Sequence, residues 1–348
     1  MYRFLLISLA LVCSWGARAE TVLIIPFFNS GGSNNLDWVG EGVAEDIRET
    51  LGRQNVPVFG RDNREEVYRR LSIRPHAHLT KASVVKLGEA VDAGRIIYGE
   101  FRLLPLADQN AQSKGTLQVK CYLLNLRAMR REKEFTASGA VENLRSVFST
   151  ISLQALSALA DPAKLQAEEQ FRRRRKAIRL DAFENYLRGL LATTTEQQHR
   201  YFTQAARLEP EYSQPCYELG RLHWKAKNYR VAAGWLAKVR SSDPEYYRAT
   251  FLLGLCRFHG GDYENAEASF QIVARVLAMN EVWNNLGAAQ SRRNRTEALD
   301  SLQKAVDGDT SDPCYLFNLG YVLWKQEDFE EAADEFRAVL EEDPDDAE

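Results

Sequence analysis

The feature that most constrains the fold is a Leu-Gly pair that recurs four times in the C-terminal half of the chain. Its glycines are Gly220, Gly254, Gly287 and Gly320, so the pairs lie 34, 33 and 33 residues apart. A self-similar period of this length is typical of helical solenoids, in which each repeat buries its apolar face only against its neighbours. We therefore predict a stacked helical array, of the kind that binds partners rather than catalyses reactions.

Two further positions recur within each repeat. A small residue follows each glycine by eleven or twelve positions, and a bulky apolar residue comes four positions later. Small residues on both helices of a pair let the two backbones approach closely, while the leucine before each glycine fills the seam. The small and bulky residues are Ala232 and Leu236, Ala266 and Phe270, Ala298 and Leu302, and Ala332 and Phe336.

This pattern resembles the tetratricopeptide repeat, and the string LGLCRFHGGDYENAEASFQIV is one of the best matches. A shorter, degenerate unit precedes the four, because Gly189 and Pro210 there are only 21 residues apart. The resemblance implies pairs of antiparallel helices. We predict about five repeats over residues 182–348, of which the first is degenerate.

Residues 1–19 match the pattern of a secretory signal peptide. Arg3 precedes an apolar run at 4–13, and the small-x-small ending at 17–19 fits cleavage after Ala19. The apolar run is too short to span a bilayer, so an uncleaved anchor is the weaker alternative. We predict a mature protein in the periplasm or secreted, with no stable membrane span.

Residues 20–160 show a different pattern, in which strand and helix signals are mixed. Together they predict an α+β or α/β domain with a mixed sheet and its own core, followed by the all-α solenoid. Asp62 and Thr80 are the expected N-caps of two of its helices. The expected strands are at 21–28, 56–59, 95–104, 116–126 and 132–139, and the expected helices at 36–53, 62–71, 80–94 and 141–159.

Strings in this domain resemble the N-terminal domain of TolB and its FlgO-like relatives. In that family a strand ending in Pro-Phe leads through a loop to a helix with a Gly-rich start and an acidic pair. The matching residues are Pro26, Phe27, Gly40, Gly42, Glu45 and Asp46. The resemblance covers residues 21–160 and brings no catalytic signature. TolB's own function does not carry over, because its β-propeller is absent.

The distribution of charge argues against a nucleic-acid partner. The formal net charge is −3, and it becomes −5 once Arg3 and Arg18 are removed with the signal peptide. Residues 161–181 are predicted to be a helical linker, and its basic run at 172–176 is interpreted as a solvated face or hinge.

No motif for catalysis, a metal or a cofactor is recognised. Gly31-Gly32-Ser33 lacks the Gly-Lys-Ser/Thr ending of a phosphate loop, and His76 and His78 have no third ligand beside them. We therefore predict a protein that is not an enzyme, with no cofactor and no metal site. The four cysteines of the mature chain are interpreted as small buried hydrophobic residues: Cys121, Cys216, Cys256 and Cys314.

The predicted partner-binding surface is the inner face of the solenoid. In tetratricopeptide folds the first helices line a groove, and aromatic and cationic side chains there suit an extended peptide or an acidic helix. Trp224 and Trp324 recur at the same position, each followed by a lysine. The residues assigned to the groove and its rim are Tyr217, Arg221, Trp224, Lys225, Arg248, Phe251, Phe258, Asn284, Arg292, Phe317, Tyr321, Trp324 and Lys325.

Several alternatives remain open at this point. Some of the groove aromatics would instead pack between neighbouring repeats. The leading hypothesis is an exported, non-enzymatic adaptor whose groove binds protein or peptide partners in the cell envelope, while the N-terminal domain docks a second envelope component. A second hypothesis is a ligand-sensing module, with a pocket near residues 29–35 and repeats that relay the signal or oligomerise. A hydrolase hidden in the N-terminal domain is a third class, disfavoured because no nucleophile–base pair stands out.

Overall fold

The computed structural model describes residues 21–32, 36–74, 77–104, 115–159 and 178–342. The chain divides into two compact units, residues 1–175 and residues 176–348. The predicted signal peptide at 1–19, the basic run at 172–176 and His76 lie outside the described residues. In the described ranges, no helix combines the length and apolar character that crossing a membrane requires.

The N-terminal unit is built on a mixed sheet, which has five strands in the described residues. The two short strands pair in parallel with β3, and β4 and β5 continue the sheet in antiparallel order. The run at 21–28, predicted as one strand, is divided in two around Pro26, which has no N–H to donate. The strands are β1 (Val22–Ile24), β2 (Phe28–Asn29), β3 (Arg95–Leu104), β4 (Thr116–Asn125) and β5 (Arg130–Ala140).

The helices of this unit follow the predicted order. Thr80 caps α3 as expected, because its hydroxyl accepts the Ser83 N–H at 3.2 Å. Asp62 is not a cap: α2 begins after Gly60, and Asp62 lies in its first turn, where a carboxylate complements the helix dipole. The helices are α1 (Asp37–Arg53), α2 (Arg61–Arg70), α3 (Lys81–Glu89) and α4 (Leu144–Leu159), the last preceded by a 3-10 turn at Val141–Asn143.

The predicted strand at 56–59 was wrong, and that segment makes only an isolated bridge between Val22 and Val58. The helix predicted to run to 94 ends at Glu89, since Asp92 adopts a left-handed conformation with φ 53°. These boundaries depend on tertiary pairing and turn geometry more than on local apolar spacing.

Packing inside the N-terminal unit explains why residue 40 is a glycine. A Cβ on Gly40 would lie 2.0 Å from the carbonyl oxygen of Phe27, while the Phe27 N–H donates to the Gly40 carbonyl at 3.2 Å. Only glycine allows α1 to approach the strand end this closely. On the same helix, the buried carboxylate of Asp46 accepts the Ser152 hydroxyl of α4 at 2.7 Å.

The C-terminal unit is a run of paired helices, which confirms the predicted repeat architecture. The degenerate first unit also forms a helix pair, so the described residues contain five pairs. The pairs are α5 (Leu180–Leu191) with α6 (Thr195–Leu208), α7 (Ser213–Lys225) with α8 (Tyr229–Leu236), α9 (Tyr246–His259) with α10 (Tyr263–Ala274), α11 (Asn280–Arg292) with α12 (Ala298–Gly308), and α13 (Pro313–Lys325) with α14 (Phe329–Glu342).

The two helices of each pair pack closely at the glycine, as predicted, but the glycine lies against the bulky residue of the second helix rather than against its small residue. In every pair, a Cβ on the glycine of the first helix would lie within 2.9 Å of a bulky side chain on the second helix. In the degenerate unit these residues are Gly189 and Phe202, at 2.5 Å. Phe202 follows Gly189 by fewer residues than in the other pairs because α5 ends two residues after its glycine, whereas the later first helices end five residues after theirs.

The turn inside each of the last four pairs uses a residue with positive φ, seven positions after the glycine. These residues are Lys227, Gly261, Asn294 and Glu327, with φ of 58°, 78°, 54° and 70°. In the repeat of Gly287, where the glycine and the small residue are one position closer than in the others, this residue is still seven positions after the glycine. The missing residue of that repeat therefore lies after Asn294. A left-handed residue lets the chain reverse at the end of the first helix.

Candidate functional site

The thirteen residues assigned to the groove all lie on first helices of the last four pairs. Contacts join α7 to α9, α9 to α11 and α11 to α13, so the first helices of consecutive repeats are neighbours. Side chains that leave these helices on their common face therefore form one continuous surface. The environments along this surface differ from repeat to repeat.

Two of the assigned phenylalanines pack inside their own repeats. The ring centroid of Phe251 lies 5.7 Å from that of Phe270, and the ring of Phe317 lies 5.8 Å from that of Phe336. Phe270 and Phe336 are the bulky second-helix residues that lie against the repeat glycines. Both assigned rings are half-buried, and their contacts join the two helices of a pair.

Trp224 is part of the interface between two repeats. Its ring lies 5.1 Å from Tyr229 in its own repeat and 5.6 Å from His259 in the next one. Tyr229 and His259 stack at 4.7 Å with an interplanar angle of 15°. The alternative of packing between repeats therefore applies to Trp224. His259 is a contact that the sequence reasoning missed, although it occupies the position of the lysine after each tryptophan.

Phe258, at the position of Trp224 in the next repeat, packs in a similar way. Its ring lies 5.3 Å from that of Tyr263, the first residue of α10. Phe258 is half-buried. This side chain therefore joins the two helices of its repeat across the turn.

Polar residues of the early repeats are engaged locally. Arg221 lies 5.7 Å from the ring centroid of Tyr217 and pairs with Glu218 at 3.3 Å. Burial, assisted by the Glu245 carboxylate, raises the pKa of Tyr217 to about 12. The phenol therefore stays protonated at neutral pH. The neighbouring Arg248 is exposed and lies 3.4 Å from that same Glu245, while Lys225 at the rim is exposed.

Asn284 is buried and holds two repeats together. Its Oδ1 accepts a hydrogen bond from Asn318 Nδ2 at 2.9 Å. The two asparagines are 34 residues apart and occupy equivalent turns of α11 and α13. Asn318 was not among the predicted residues, because it lies one position after Phe317, the residue that corresponds to Asn284 in the next repeat.

The last two repeats present a different surface, which we call the Trp324 patch: Arg292, Tyr321, Trp324 and Lys325. The Arg292 guanidinium and the Lys325 ammonium each lie 5.9 Å from the ring centroid of Tyr321. The rings of Tyr321 and Trp324 lie 6.0 Å apart, and Trp324 is 53% exposed. Two aromatic rings and two cations thus lie together, with the largest ring open to solvent.

Lys325 is held in place by the preceding repeat. Its ammonium donates to the Ser291 carbonyl oxygen at 2.8 Å and to the Asn294 Oδ1 at 2.7 Å. An ammonium has three donors, so one N–H can still reach a ligand. The sequence did not indicate Ser291 and Asn294 as partners of Lys325. Their hydrogen bonds fix the position of its ammonium group, which on most surface lysines is free to move.

The four cysteines of the predicted mature chain differ in burial. Cys121, Cys216 and Cys256 are buried, whereas Cys314, which was expected to be buried, is exposed near the start of α13. Within the ranges that the structure describes, no three His, Cys, Asp or Glu side chains are grouped closely enough to hold a metal.

A pocket near residues 29–35 would favour the ligand-sensing hypothesis, but the described residues of this segment, 29–32, do not line the cavity that the structure shows beside it. The Asn29 side chain contacts its own loop and helix, donating to Asp37 at 3.3 Å and accepting the Gly31 N–H at 3.1 Å. A cavity of about 200 Å³ instead begins at Phe28 and extends over the sheet toward α3. Residues 33–35 lie outside the described part of the chain.

Comparison with known proteins places the repeats in a family. A family model described as "Tetratricopeptide repeat" matches residues 217–277 and 288–347. No curated protein sequence matches the chain significantly.

Solved structures that match part of this chain include MamA and YrrB. MamA residues 41-end from Desulfovibrio magneticus RS-1 is 24% identical, with a TM-score of 0.44, covering 49% of this chain and all of that one. YrrB, described as a TPR protein with an unusual peptide-binding site, is 15% identical with a TM-score of 0.44, covering 51% of this chain and 92% of that one. The matched sequence and the described helix pairs together establish that the C-terminal unit of this chain is a tetratricopeptide-repeat solenoid.

Proposed function

We propose that this protein is an exported, non-enzymatic adaptor that binds a protein or peptide partner through the Trp324 patch. The observation that carries the proposal is the 53% exposure of Trp324 beside Tyr321, Arg292 and Lys325. Tryptophan, tyrosine and arginine are the residues most enriched at the energetic centres of protein interfaces. An exposed tryptophan with two adjacent cations suits a segment that carries an apolar side chain next to a carboxylate.

Only part of the predicted groove is available to contact a partner. Phe251, Phe317 and Trp224 already use their rings for packing inside the array. Their part in binding is indirect, through the rigidity they give to the first helices. The residues that remain to contact a partner are those of the Trp324 patch. Lys225 and Arg248 are also exposed, but they lie outside the patch, further along the array.

Export and envelope location belong to the same proposal. They are supported by the arrangement of charge, apolar run and small residues at 1–19, which is typical of a signal peptide. If the prediction is right, N-terminal sequencing of the protein from its native host begins at Glu20. A protein that retains Met1 in the cytosolic fraction contradicts export.

The N-terminal unit is proposed to dock a second envelope component. Support comes from the TolB-like strings, whose Pro-Phe strand end and glycine meet in the structure through Phe27 and Gly40. A cavity of about 200 Å³ over the sheet of this unit also favours the ligand-sensing alternative.

Selection of peptides from a displayed library on the mature protein tests the patch. We expect recovered peptides to combine an acidic and an aromatic or aliphatic residue. Trp324→Ala should weaken their binding about tenfold or more without lowering the melting temperature, as expected for an exposed hot spot. Binding constants are measured by fluorescence anisotropy.

Two matched variants serve as controls. Trp224→Ala removes the same side chain from a packed site, so it should lower stability but leave affinity within about twofold once the protein is folded. Arg248→Ala removes an exposed cation outside the patch, for comparison with Arg292→Ala. If Trp324→Ala and Arg292→Ala bind the selected peptides as tightly as wild type, the patch is not the binding surface.

A further inference from the structure

Among the described residues of the N-terminal unit, helices cover only part of one face of the sheet. Near one end of the strands, Ile96 and Leu124 are buried against α2 and α3 through Val67, Val84 and Leu87. Two residues further along β3, on the same face, Tyr98 is only half-buried. The cavity of about 200 Å³ lies here, where the helices stop covering the sheet.

The walls of this cavity are mainly aromatic. Tyr98 and Tyr122 are directly paired across β3 and β4, and their ring centroids lie 5.3 Å apart. Phe28, the first residue of β2, and His78, before α3, meet edge to face, with ring centroids 4.8 Å apart. Four rings from four different segments therefore line one small space.

A carboxylate also lines the cavity. Glu100 follows Tyr98 by two positions, so both side chains leave β3 on the same face. Glu100 is half-buried, and no hydrogen bond or ion pair in the described residues involves it. Lys120 lies opposite Glu100 in the strand register, but it is exposed, forms no ion pair with Glu100 and does not line the cavity.

The other carboxylate on this face is already paired. Glu134 lies 3.1 Å from Arg131, and the Arg131 guanidinium lies 4.0 Å from the ring centroid of Tyr122. The Tyr122 ring therefore already accepts a guanidinium over one of its faces. Burial raises the pKa of Tyr122, and the negative charges of Glu100 and Glu134 raise it further. The phenol therefore remains a neutral hydrogen-bond donor.

We propose that this cavity binds a small organic cation, with Glu100 as its counter-charge and Tyr98, Tyr122 and Phe28 as its aromatic walls. Aromatic faces combined with a carboxylate favour ammonium and guanidinium groups over anions or neutral molecules. The volume is below the roughly 300–1,000 Å³ typical of pockets for drug-sized ligands, which suits one ammonium or guanidinium head group. The site is separate from the repeats, so it is independent of the proposed adaptor function.

Isothermal titration calorimetry with the mature, full-length chain tests the site. The probes are choline, its uncharged isostere 3,3-dimethylbutanol, and methylguanidinium, whose single charge is a guanidinium. We expect saturable binding of choline or methylguanidinium and no binding of the isostere. The two cations also distinguish a quaternary ammonium ligand from a guanidinium ligand.

Glu100→Gln keeps the shape of the side chain and removes its charge, and it should weaken cation binding about tenfold or more, as cation–carboxylate pairing predicts. Glu134→Gln is the matched control on the same face and should change affinity less than about twofold. Tyr98→Leu should also weaken binding, because it removes an aromatic wall. The proposal is overturned if neither cation binds at millimolar concentration, if the isostere binds equally well, or if Glu100→Gln binds like wild type while its circular dichroism is unchanged.

Discussion

Gly254 lies against the ring of Phe270 so closely that a Cβ on the glycine would be 2.6 Å from Phe270 Cε1 and 2.9 Å from Cδ1. Carbon atoms that are not bonded to each other prefer a separation of about 3.5–4.0 Å. The seam between α9 and α10 therefore has no room for even a methyl group. The same relationship recurs in the other four pairs, and it is the physical origin of the repeat period.

Gly254→Ala should therefore destabilise the C-terminal unit. The matched control is Gly234→Ala in α8, where an added Cβ meets nothing within 4 Å. Both variants gain the helix propensity of alanine, so their difference isolates the packing cost, for which we expect about 1–3 kcal/mol. Urea unfolding followed by circular dichroism at 222 nm measures both. Equal stability of the two variants would contradict the close-packed seam.

The hydrogen bond between Asn284 and Asn318 should stabilise the interface of two repeats. Asn318→Ala leaves the buried Asn284 Oδ1 without its 2.9 Å donor, and we expect a loss of about 1–3 kcal/mol. Asn285→Ala is the control, because that side chain donates only to the Glu281 carbonyl of its own helix. In a double-mutant cycle, the effects of Asn284→Ala and Asn318→Ala should not be additive. Strict additivity would mean that the bond does not couple the repeats.

Glu41 should make the stability of the N-terminal unit depend on pH. Glu41 is 2% exposed and pairs with Arg64 and Arg61. Burial alone would raise its pKa, but the attraction of the Arg64 and then the Arg61 guanidinium outweighs burial, so its pKa lies below the usual value. A pKa depressed by folding means that the stabilisation is present above the unfolded pKa of about 4.3 and is lost as pH falls through the folded pKa.

Glu41→Gln should flatten this dependence. We expect the free energy of unfolding of wild type to fall more steeply than that of the variant below about pH 4.3. At neutral pH the variant should already be less stable, because Arg64 keeps a buried charge without its carboxylate. Glu66→Gln, which removes an exposed carboxylate paired with Arg69 on α2, should follow the wild-type pH curve. Parallel curves for wild type and Glu41→Gln would rule out this linkage.

Local sequence was sufficient for much of the architecture. The strand Arg95–Leu104 and the helix before Gln54 lie where the apolar spacing indicated, and the glycine period located the repeat pairs. The strand and the helix depend on contacts between residues close in sequence, and the repeat pairs depend on a pattern that occurs in every repeat. The capping role given to Asp62 was wrong because α2 begins after Gly60, whose N–H donates to Asn63 Oδ1 at 3.2 Å. The strand at 56–59 was wrong because this segment pairs with β1 only through the isolated bridge between Val22 and Val58.

The sequence by itself determined that Trp224 and Trp324 leave equivalent turns of equivalent helices, since both follow a repeat glycine by four residues. Only the tertiary structure decided that Trp224 packs against Tyr229 and His259 while Trp324 is 53% exposed. Likewise, strand register brought Tyr98 and Tyr122 together beside Glu100. The period of a helix or strand fixes the direction in which a side chain points, whereas its burial depends on atoms that other parts of the chain bring to it.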